Sequence, residues 1–224
     1  MSKTIFITGT DTGVGKTHVS CALIRALQNA GRSVLAVKPV ASGAEPIDGE
    51  LKNEDALALQ QALQSSVPYP LLNPFVFAPA IAPHIAARQA GVELSVARIA
   101  ESLSWLRESD AEVVIIEGAG GWLVPLNERE TFADLAASVG DGVVLVVGMR
   151  LGCINHALLS VSAIAQSGLP LLGWVANNPQ PRMPMYDENL AYLREHIQAP
   201  MLAELAYNET ALSLDSGTLA HLLG

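Results

Sequence analysis

A lysine and a threonine stand side by side in the glycine-rich segment GTDTGVGKTH, residues 9–18, which follows an apolar run. Lys16 can place a positive charge on terminal phosphates, and Thr17 can offer its hydroxyl to Mg²⁺. Gly13 and Gly15 allow the backbone to approach a ligand closely. The amides of such a loop form a nest for an anion, and the positive end of a following helix points at the same place. This segment therefore predicts a phosphate-binding loop.

The first glycine of this segment, Gly9, stands one position earlier than in the usual phosphate-loop pattern, which would place a glycine at Thr10. A tight glycine turn that binds no ligand is one alternative interpretation. A dinucleotide-binding loop of the form G-x-G-x-x-G is another, but it matches poorly because His18 stands where the third glycine belongs. The intact ending GVGKT favours the phosphate loop.

Two carboxylates are candidates for holding a metal ion. Glu117 follows the apolar run EVVII and precedes a glycine run. A carboxylate at the carboxyl end of a sheet strand points into the crevice where nucleotides bind, although Glu117 could also be an ordinary surface residue at a strand end. Asp55, in NEDALAL, could be a metal ligand or a first-turn helix residue that interacts favourably with the helix dipole. The residues by themselves leave both choices open.

The elements that would position these groups alternate between strands and helices. Apolar, β-branched runs predict strands, and apolar residues with a helical period predict helices. Continuous apolar strands are typical of a sheet that is covered on both faces. We therefore expect an α/β fold with a mainly parallel, doubly wound sheet flanked by helices. The predicted strands are residues 4–8, 33–40, 112–117, 142–147 and 171–176, with 201–205 as a candidate sixth, and the predicted helices are residues 16–30, 54–64, 95–108, 132–138, 153–166 and 186–196.

One irregular segment stands apart from this pattern. Residues 73–91, NPFVFAPAIAPHIAARQAG, predict a loop with a short helix at the rim of the fold. No repeat or low-complexity linker divides the sequence, so a single domain over residues 1–224 is expected.

The composition is typical of a globular protein, with 50% hydrophobic and 16% charged residues among 224. The formal net charge is −9, without blocks of like charge, which argues against nucleic acid as a partner. No run reaches the ~18 apolar residues of a membrane span, and no export signal is recognisable. Cys21 and Cys153 lie far apart and predict reduced thiols in a cytoplasmic protein.

Several segments together resemble the dethiobiotin synthetase family. They occur in the family's order, and the displaced first glycine is the family's own form of the phosphate loop. In combination they are far more specific than that loop alone. The segments are GTDTGVGKT (9–17), KPVASG (38–43), NEDALALQ (53–60), EGAGGW (117–122), TFADL (131–135), LGCINHA (151–157) and GWVANN (173–178).

The resemblance implies a P-loop NTPase-like fold, a homodimer, and an enzyme that uses ATP and Mg²⁺. The implied substrates are 7,8-diaminopelargonic acid and CO₂, and the implied products are dethiobiotin, ADP and phosphate. One amine takes up CO₂ as a carbamate, ATP phosphorylates the carbamate to a mixed anhydride, and the second amine closes a ureido ring by expelling phosphate. Because carbamate and γ-phosphate are both anions, catalysis must consist mostly of positioning and charge neutralisation.

The resemblance also implies roles for individual residues. Lys16 and Lys38 would be catalytic, because they neutralise the charge that develops between the two anions. Thr17, Asp55 and Glu117 would ligate Mg²⁺, which prefers oxygen ligands in octahedral geometry. The residues expected to bind the nucleotide are Gly13, Val14, Gly15, Lys16, Thr17, His18, Asp55, Glu117, Gly118, Ala119, Gly120, Asn177, Asn178, Ala206, Tyr207 and Asn208.

Substrate contacts follow from the same resemblance. Thr12 would contact the diamine near its amino groups, and Ser42 would form a hydrogen bond to the end of the substrate. The free amides at the start of the helix that begins with GCINHA form an anion site. There Cys153, Ile154 and Asn155 would hold the substrate's distal carboxylate in the site of the neighbouring subunit. The dimer would then be required to complete each site.

The base pocket is where this chain departs from the family. Asn177 is expected to read the adenine edge, because an amide can both donate and accept. Asn178 and Pro179 follow it where the family often has an acidic residue. Ala206 and Tyr207 stand where the family often has a proline and an aromatic residue. Nucleotide preference could therefore shift in this chain.

P-loop ATPases that switch partners in partitioning or assembly are the main alternative class of function. Such proteins usually carry a lysine early in the loop, where this chain has Asp11. Lys38 and the GCINHA segment favour the synthetase. A cobyrinate-type amidotransferase would need an additional glutaminase domain, for which we expect no room in this chain.

Overall fold

The apolar runs of the sequence form the strands of one central sheet in the computed structural model, which describes residues 2–64 and 66–224. Including the strands of two small additional sheets, the strands are β1 (Lys3–Gly9), β2 (Val34–Val37), β3 (Val40–Ser42), β4 (Glu45–Ile47), β5 (Glu50–Lys52), β6 (Phe75–Phe77), β7 (Val113–Gly121), β8 (Gly142–Gly148), β9 (Leu171–Asn177) and β10 (Met201–Leu205). The α-helices are α1 (Lys16–Asn29), α2 (Glu54–Ala62), α3 (Tyr69–Leu72), α4 (Pro83–Gln89), α5 (Val96–Ser102), α6 (Phe132–Val139), α7 (Cys153–Gln166), α8 (Tyr186–His196) and α9 (Ser216–Leu223), and a 3₁₀ helix covers Ser104–Glu108.

The central sheet contains six strands in the order β10-β9-β8-β1-β7-β2. Every neighbouring pair in this sheet is parallel. The chain adds strands on both sides of β1, so the loops that follow β1, β7 and β8 meet at the carboxyl edge of the sheet. That edge, where the winding changes direction, is where open α/β sheets bind ligands. The predicted doubly wound α/β fold is confirmed.

Helices bury both faces of the sheet. Along β1, Ile5 and Ile7 belong to one hydrophobic cluster and Phe6 belongs to the other. Alternate side chains of a strand point to opposite faces, so both faces of β1 are buried. Helices α1, α2 and α9 cover the face of Ile5, and helices α4 to α8 cover the face of Phe6. The two clusters hold the carboxyl edge, and the loops on it, in a fixed arrangement.

The strand predicted for residues 33–40 is interrupted at Lys38 and Pro39. β2 remains in the central sheet, whereas β3 pairs with β6 in a separate two-stranded sheet. Pro39 has no N–H to donate to a strand ladder. The Lys38 N–H donates to Leu72 O at 2.9 Å, and Asn73 Nδ2 donates to Lys38 O at 2.6 Å. The chain therefore leaves the central sheet at Lys38, which becomes a residue of the carboxyl edge.

The helix predicted for residues 95–108 is divided into α5 and the 3₁₀ helix. The Ser102 hydroxyl donates to Ile99 O at 2.7 Å, and the Ser109 hydroxyl donates to Leu106 O at 2.6 Å. Such local bonds compete with the regular helical pattern. The predicted helix was therefore too long and too regular.

Other elements were missed at the rim of the fold. The irregular segment 73–91 contains strand β6 in addition to the expected short helix, α4. Strands β4 and β5 form an antiparallel hairpin that turns at Asp48 and Gly49, both with positive φ. An Asp-Gly pair is a strong signal for such a turn. Helices α3 and α9 were also not predicted.

Cys21 and Cys153 are both free thiols and both buried. In the part of the chain that the structure describes, no helix combines the length and apolar character needed to cross a bilayer.

Candidate active site

The phosphate loop lies between β1 and α1 at the carboxyl edge of the sheet. Gly15 caps α1 with a φ of 88°, and Gly13 has a φ of 72°, both in the left-handed region that favours glycine. A Cβ atom on Gly15 would lie 2.2 Å from Asn177 Nδ2, so a larger residue would displace that amide. Asn177 Nδ2 donates to Val14 O at 2.8 Å. Asn177, at the end of β9, therefore packs against the phosphate loop and stabilises its conformation.

The early glycine of the loop has a packing role. A Cβ atom on Gly9 would lie 2.6 Å from Val14 Cγ2, and one on Gly148 would lie 2.7 Å from Val14 Cγ1. Val14 is fully buried. Thr10 Oγ1 accepts a hydrogen bond from Gly148 N at 3.3 Å. The loop folds back over the carboxyl ends of β1 and β8. This packing explains why position 9 is a glycine and why position 10 carries a hydroxyl group.

Lys38 lies between two carboxylates. Its ammonium donates to Glu117 Oε1 at 2.7 Å and to Asp55 Oδ2 at 2.8 Å. Thr17 Oγ1 donates to the same Glu117 oxygen at 2.7 Å. The side chains of Lys38 and Glu117 are 4% and 0% exposed, whereas Asp55 lies nearer the surface. Four residues that are distant in sequence thus form one cluster beside the phosphate loop.

Burial and charge determine the pKa values in this cluster. Burial, reinforced by the charge of Lys38, lowers the pKa of Lys16 to about 8. Burial also acts to lower the pKa of Lys38, but the carboxylates of Glu117 and Asp55 outweigh it and hold that pKa above its usual value. For Asp55, burial acts to raise the pKa, but Lys38 outweighs it and holds the pKa below its usual value. Lys38 and Asp55 are therefore charged at neutral pH.

One oxygen of the cluster, Glu117 Oε2, is buried without a hydrogen-bond partner. A buried carboxylate oxygen in that state requires a donor or a cation. Together with the Thr17 hydroxyl and the Asp55 carboxylate, it offers the oxygen ligands that Mg²⁺ prefers. Residues 2–64 and 66–224 contain no cluster of three or more His, Cys, Asp or Glu side chains that would hold a metal alone. Phosphate oxygens and water would have to supply the remaining ligands.

A cleft of about 810 Å³ opens beside this cluster. Its volume lies in the usual range for a small-molecule site. Most of the residues that the sequence predicted for the site meet in it. Those that line the cleft are Thr12, Gly13, Gly15, Lys16, Thr17, His18, Lys38, Ser42, Asp55, Ala119, Gly120, Asn177, Asn178, Tyr207 and Asn208.

The remaining residues predicted to contact the nucleotide do not line the cleft. Val14 and Glu117 are fully buried next to residues that do line it. A Cβ atom on Gly118 would lie 3.0 Å from the ring of Phe6, so this glycine makes room for packing. Ala206 precedes the lining residue Tyr207 and is itself exposed. Their contacts with a nucleotide therefore stay a prediction.

Cys153, Ile154 and Asn155 form the first turn of α7, which Gly152 caps with a φ of 94°. None of the three lines the cleft of its own chain. Cys153 is buried, and its thiol lies 3.9 Å from Asn189 Oδ1. Asn155 is exposed to solvent. Their expected role in a neighbouring subunit stays a prediction.

The sequence did not predict the wall of the cleft that residues 80–83 form, nor the lining residues Val124 and Pro179. Residues 80–83 belong to the proline-rich segment APAIAP, which connects β6 to α4 and ends at Pro83, the first residue of α4. A Cβ atom on Gly43 would lie 3.3 Å from Ala80 Cβ, so the wall approaches the chain beside Ser42 closely. The clustered prolines were the signal that could have found it, since they fix a loop without forming a regular element.

The cleft is also bordered by Asn177, the last residue of β9, and by the two residues that follow it. Asn177 Oδ1 is buried without a hydrogen-bond partner. Asn178 donates to Leu205 O through its backbone N–H at 3.0 Å and through Nδ2 at 2.8 Å. Asn178 therefore ties the end of β9 to the end of β10, while Asn177 keeps an acceptor free beside the phosphate loop.

Comparison with known proteins gives close relatives over nearly the whole chain. A family model described as an AAA domain matches residues 3–212. A Pseudomonas aeruginosa (strain UCBPP-PA14) protein named ATP-dependent dethiobiotin synthetase BioD is 51% identical over 217 residues, which cover 97% of this chain and 94% of the relative. Relatives of the same name are 48% identical in Marinobacter nauticus and 53% identical in Aromatoleum aromaticum, covering 92% and 88% of this chain and 88% and 87% of the relatives.

Solved structures of lower sequence similarity share the fold. The MinC:MinD cell division protein complex of Aquifex aeolicus matches with a TM-score of 0.56 and 12% identity, covering 99% of this chain and 86% of that chain. The cell division protein FtsY of Thermotoga maritima matches with a TM-score of 0.53 and 14% identity, covering 100% of this chain and 69% of that chain. These likenesses support the P-loop NTPase-like fold alone.

Proposed function

The chain belongs to the ATP-dependent dethiobiotin synthetase family, and from that membership we propose that it makes dethiobiotin from 7,8-diaminopelargonic acid, CO₂ and ATP. ADP and phosphate are the other products. The observation that carries this proposal is the buried Lys38, held between Glu117 and Asp55 beside the phosphate loop. A site of this kind can bring two anions together, as this reaction requires.

The proposed reaction has three steps. One amine of the substrate adds to CO₂ and loses a proton, which gives a carbamate. A carbamate oxygen attacks the γ-phosphorus of ATP, and ADP leaves. The second amine attacks the carbonyl carbon of the mixed anhydride, loses a proton, and expels phosphate with the carbamate oxygen. The bond between this second nitrogen and the carbonyl carbon closes the ureido ring.

The two lysines reduce the repulsion between the reacting anions. Two like unit charges 4 Å apart repel by about 4 kcal/mol at the effective dielectric constant near a protein surface. Lys16 lies in the phosphate loop and would neutralise the terminal phosphates. Lys38, kept protonated by its two carboxylates, would neutralise the carbamate. A lysine held in its ammonium form has no free electron pair, so Lys38 serves as a charge and not as a nucleophile.

Thr17, Asp55 and Glu117 would hold the Mg²⁺ ion. The buried, unpartnered Glu117 Oε2 supports this assignment. When bound, Mg²⁺ polarises phosphoryl oxygens as a Lewis acid. Thr17 already places its hydroxyl on Glu117, so the two ligands are oriented toward each other before the ion binds.

The enzyme acts as a homodimer in this proposal. Two exposed apolar side chains support an interface at α7: Leu151, just before the helix, is 96% exposed, and Leu159, in the middle of the helix, is 61% exposed. The first turn of α7, with Cys153, Ile154 and Asn155, would then enter the neighbouring site. The Cys153 N–H donates to Arg150 O at 2.9 Å, so the amides of Ile154 and Asn155 would hold the distal carboxylate of the diamine. The free thiols of both cysteines support a reducing compartment such as the cytoplasm.

ADP release, measured with and without the two other substrates, tests this function. The synthetase releases ADP only when diaminopelargonate and bicarbonate are both present, because ATP is consumed by the carbamate. A partner-switching ATPase would release ADP at the same rate without the diamine, and that result would replace the synthetase proposal.

A further inference from the structure

A closed turn over residues 206–209 forms part of the cleft wall. Glu209 N donates to Ala206 O at 3.0 Å, and Ala206 N donates to Glu209 Oε2 at 2.9 Å. Asn208 adopts a left-handed conformation with a φ of 63°. Tyr207 and Asn208 line the cleft. We call these four residues the 206–209 turn.

The 206–209 turn follows β10, which is the edge strand of the central sheet. On the sheet side, Asn178 holds the preceding residue, Leu205, by two hydrogen bonds. On the other side, the Nε2 atom of His18 is hydrogen-bonded to the carbonyl oxygen of Glu209, which is 191 residues away in sequence. Among the hydrogen bonds of the described residues, this is the one that joins the turn to α1.

The order of strands indicates which part of a nucleotide would lie against this turn. Lys38 and Asp55 border the cleft at the β2 end of the sheet edge, the phosphate loop follows the central β1, and Asn177 and Tyr207 border the cleft at the end of β9 and β10. A triphosphate whose terminal group faces Lys38 would extend its nucleoside toward β9 and β10. The 206–209 turn therefore borders the position of the base.

We propose that His18 is a positioning residue for nucleotide binding, which holds the 206–209 turn against the base through the carbonyl of Glu209. This inference rests on the proposed use of ATP. A carbonyl oxygen can only accept, so His18 must carry its proton on Nε2 and donate. His18 directly follows Lys16 and Thr17 in α1, so the same helical turn orients the phosphate ligands and the wall beside the base.

Kinetics of the His18→Ala and His18→Gln variants test this role. Glutamine keeps an N–H donor at a similar reach, whereas alanine keeps none. We expect His18→Ala to raise the KM for ATP about tenfold, the effect of one hydrogen bond, and to leave kcat unchanged at saturating ATP. His18→Gln should bring the KM back to within about twofold of the original enzyme. The control is His196→Ala, on α8, where the exposed ring is hydrogen-bonded to Tyr192 O of its own helix at 2.8 Å.

Binding of inorganic tripolyphosphate separates a positioning role from damage to the phosphate loop. Tripolyphosphate has no base, so its affinity should be the same in His18→Ala and in the original enzyme. An unchanged KM for ATP in His18→Ala would overturn the inference, as would an equal loss of ATP and tripolyphosphate binding. ATP affinity can also be measured by calorimetry without the diamine, so the inference can fail or succeed independently of dethiobiotin formation.

Discussion

The Lys38 ammonium lies 2.7 Å from Glu117 Oε1, and the register of two parallel strands produces this contact. Val37 of β2 is the pairing partner of Ile116 of β7. Lys38, which directly follows β2, therefore lies beside Glu117, the next residue of β7. Both follow buried apolar strands, so both side chains are almost inaccessible to solvent at the edge where the phosphate loop lies. A shift of one residue in either strand would separate the charges.

Replacement of Lys38 by methionine should abolish product formation and destabilise the free enzyme. Without its cation, the buried Glu117 carboxylate loses its charge partner, and removing one member of a buried pair costs about 3 kcal/mol. Dethiobiotin formation should fall at least about a hundredfold, because the carbamate is no longer neutralised. Denaturant unfolding without Mg²⁺ and a product assay measure the two effects.

The double variant Lys38→Met/Glu117→Gln separates stability from catalysis. It should recover most of the lost unfolding free energy and none of the activity, because the unpaired carboxylate is gone but the cation is still missing. Lys52→Met is the control, because Lys52 forms only a weak surface ion pair with Glu50. Loss of that pair should lower the free energy of unfolding by less than about 1 kcal/mol. Near-normal turnover of Lys38→Met would contradict the role of this lysine.

Glu117→Gln should raise the Mg²⁺ concentration required for ATP turnover. The amide keeps the size of the side chain but loses the charge that would hold the ion. We expect the Mg²⁺ requirement to rise at least about tenfold, a loss found even for outer partners of metal sites. A Mg²⁺ titration of ADP release measures it. Glu112→Gln, just before the other end of β7, should leave the titration unchanged, and an equal response of both variants would argue against Glu117 as a ligand.

ATP binding should be coupled to proton uptake by Lys16. Its pKa is lowered to about 8, so the free enzyme loses the Lys16 proton as the pH rises through 8. The phosphates of ATP stabilise the ammonium and raise this pKa, so binding at pH 8.5 should take up a proton, and affinity should weaken at higher pH. Calorimetry in two buffers of different ionisation enthalpy measures the uptake. Lys16→Arg, which stays charged, should show none; proton release by the original enzyme would contradict this assignment.

The central fold was largely predictable because its signals are local. Two apolar runs directly predict buried parallel strands: TIFITG at the start of the phosphate loop and EVVII before Glu117. The break at Pro39 was harder to predict from the sequence, because it depends on backbone hydrogen bonds of Lys38 with the distant residues Leu72 and Asn73. A pattern of apolar residues does not indicate hydrogen bonds between residues that lie far apart in the sequence.

The candidate site shows the same division between local and distant signals. Motifs predicted the phosphate loop, Lys38, Asp55 and Glu117, which all meet in the structure. The wall of residues 80–83 was missed, because a proline-rich loop has no period that would indicate where it lies. The bond between His18 and Glu209 was missed because it joins residues from opposite ends of the chain.

Mixing two inactive variants tests whether the site is shared between subunits. Lys38→Met disables the phosphate side of a site, and Asn155→Asp places a negative charge next to the expected position of the substrate's distal carboxylate. If each site takes Lys38 from one chain and Asn155 from the other, a mixed dimer has one site with both changes and one intact site. About half of randomly formed dimers are mixed, so refolding the variants together should restore about a quarter of the activity. No recovery, with mixed dimers demonstrated by native mass spectrometry, would place both residues in the same chain's site.

The most direct measurement follows labelled carbon into the product. The enzyme is mixed with Mg-ATP, diaminopelargonate and ¹³C-bicarbonate, and the product is analysed by mass spectrometry. We predict one ¹³C atom in the carbonyl of a cyclic urea for each ADP released, and no product with Lys38→Met. ADP release without label in a cyclic urea would contradict the claim that this site unites a carbamate with the terminal phosphate of ATP.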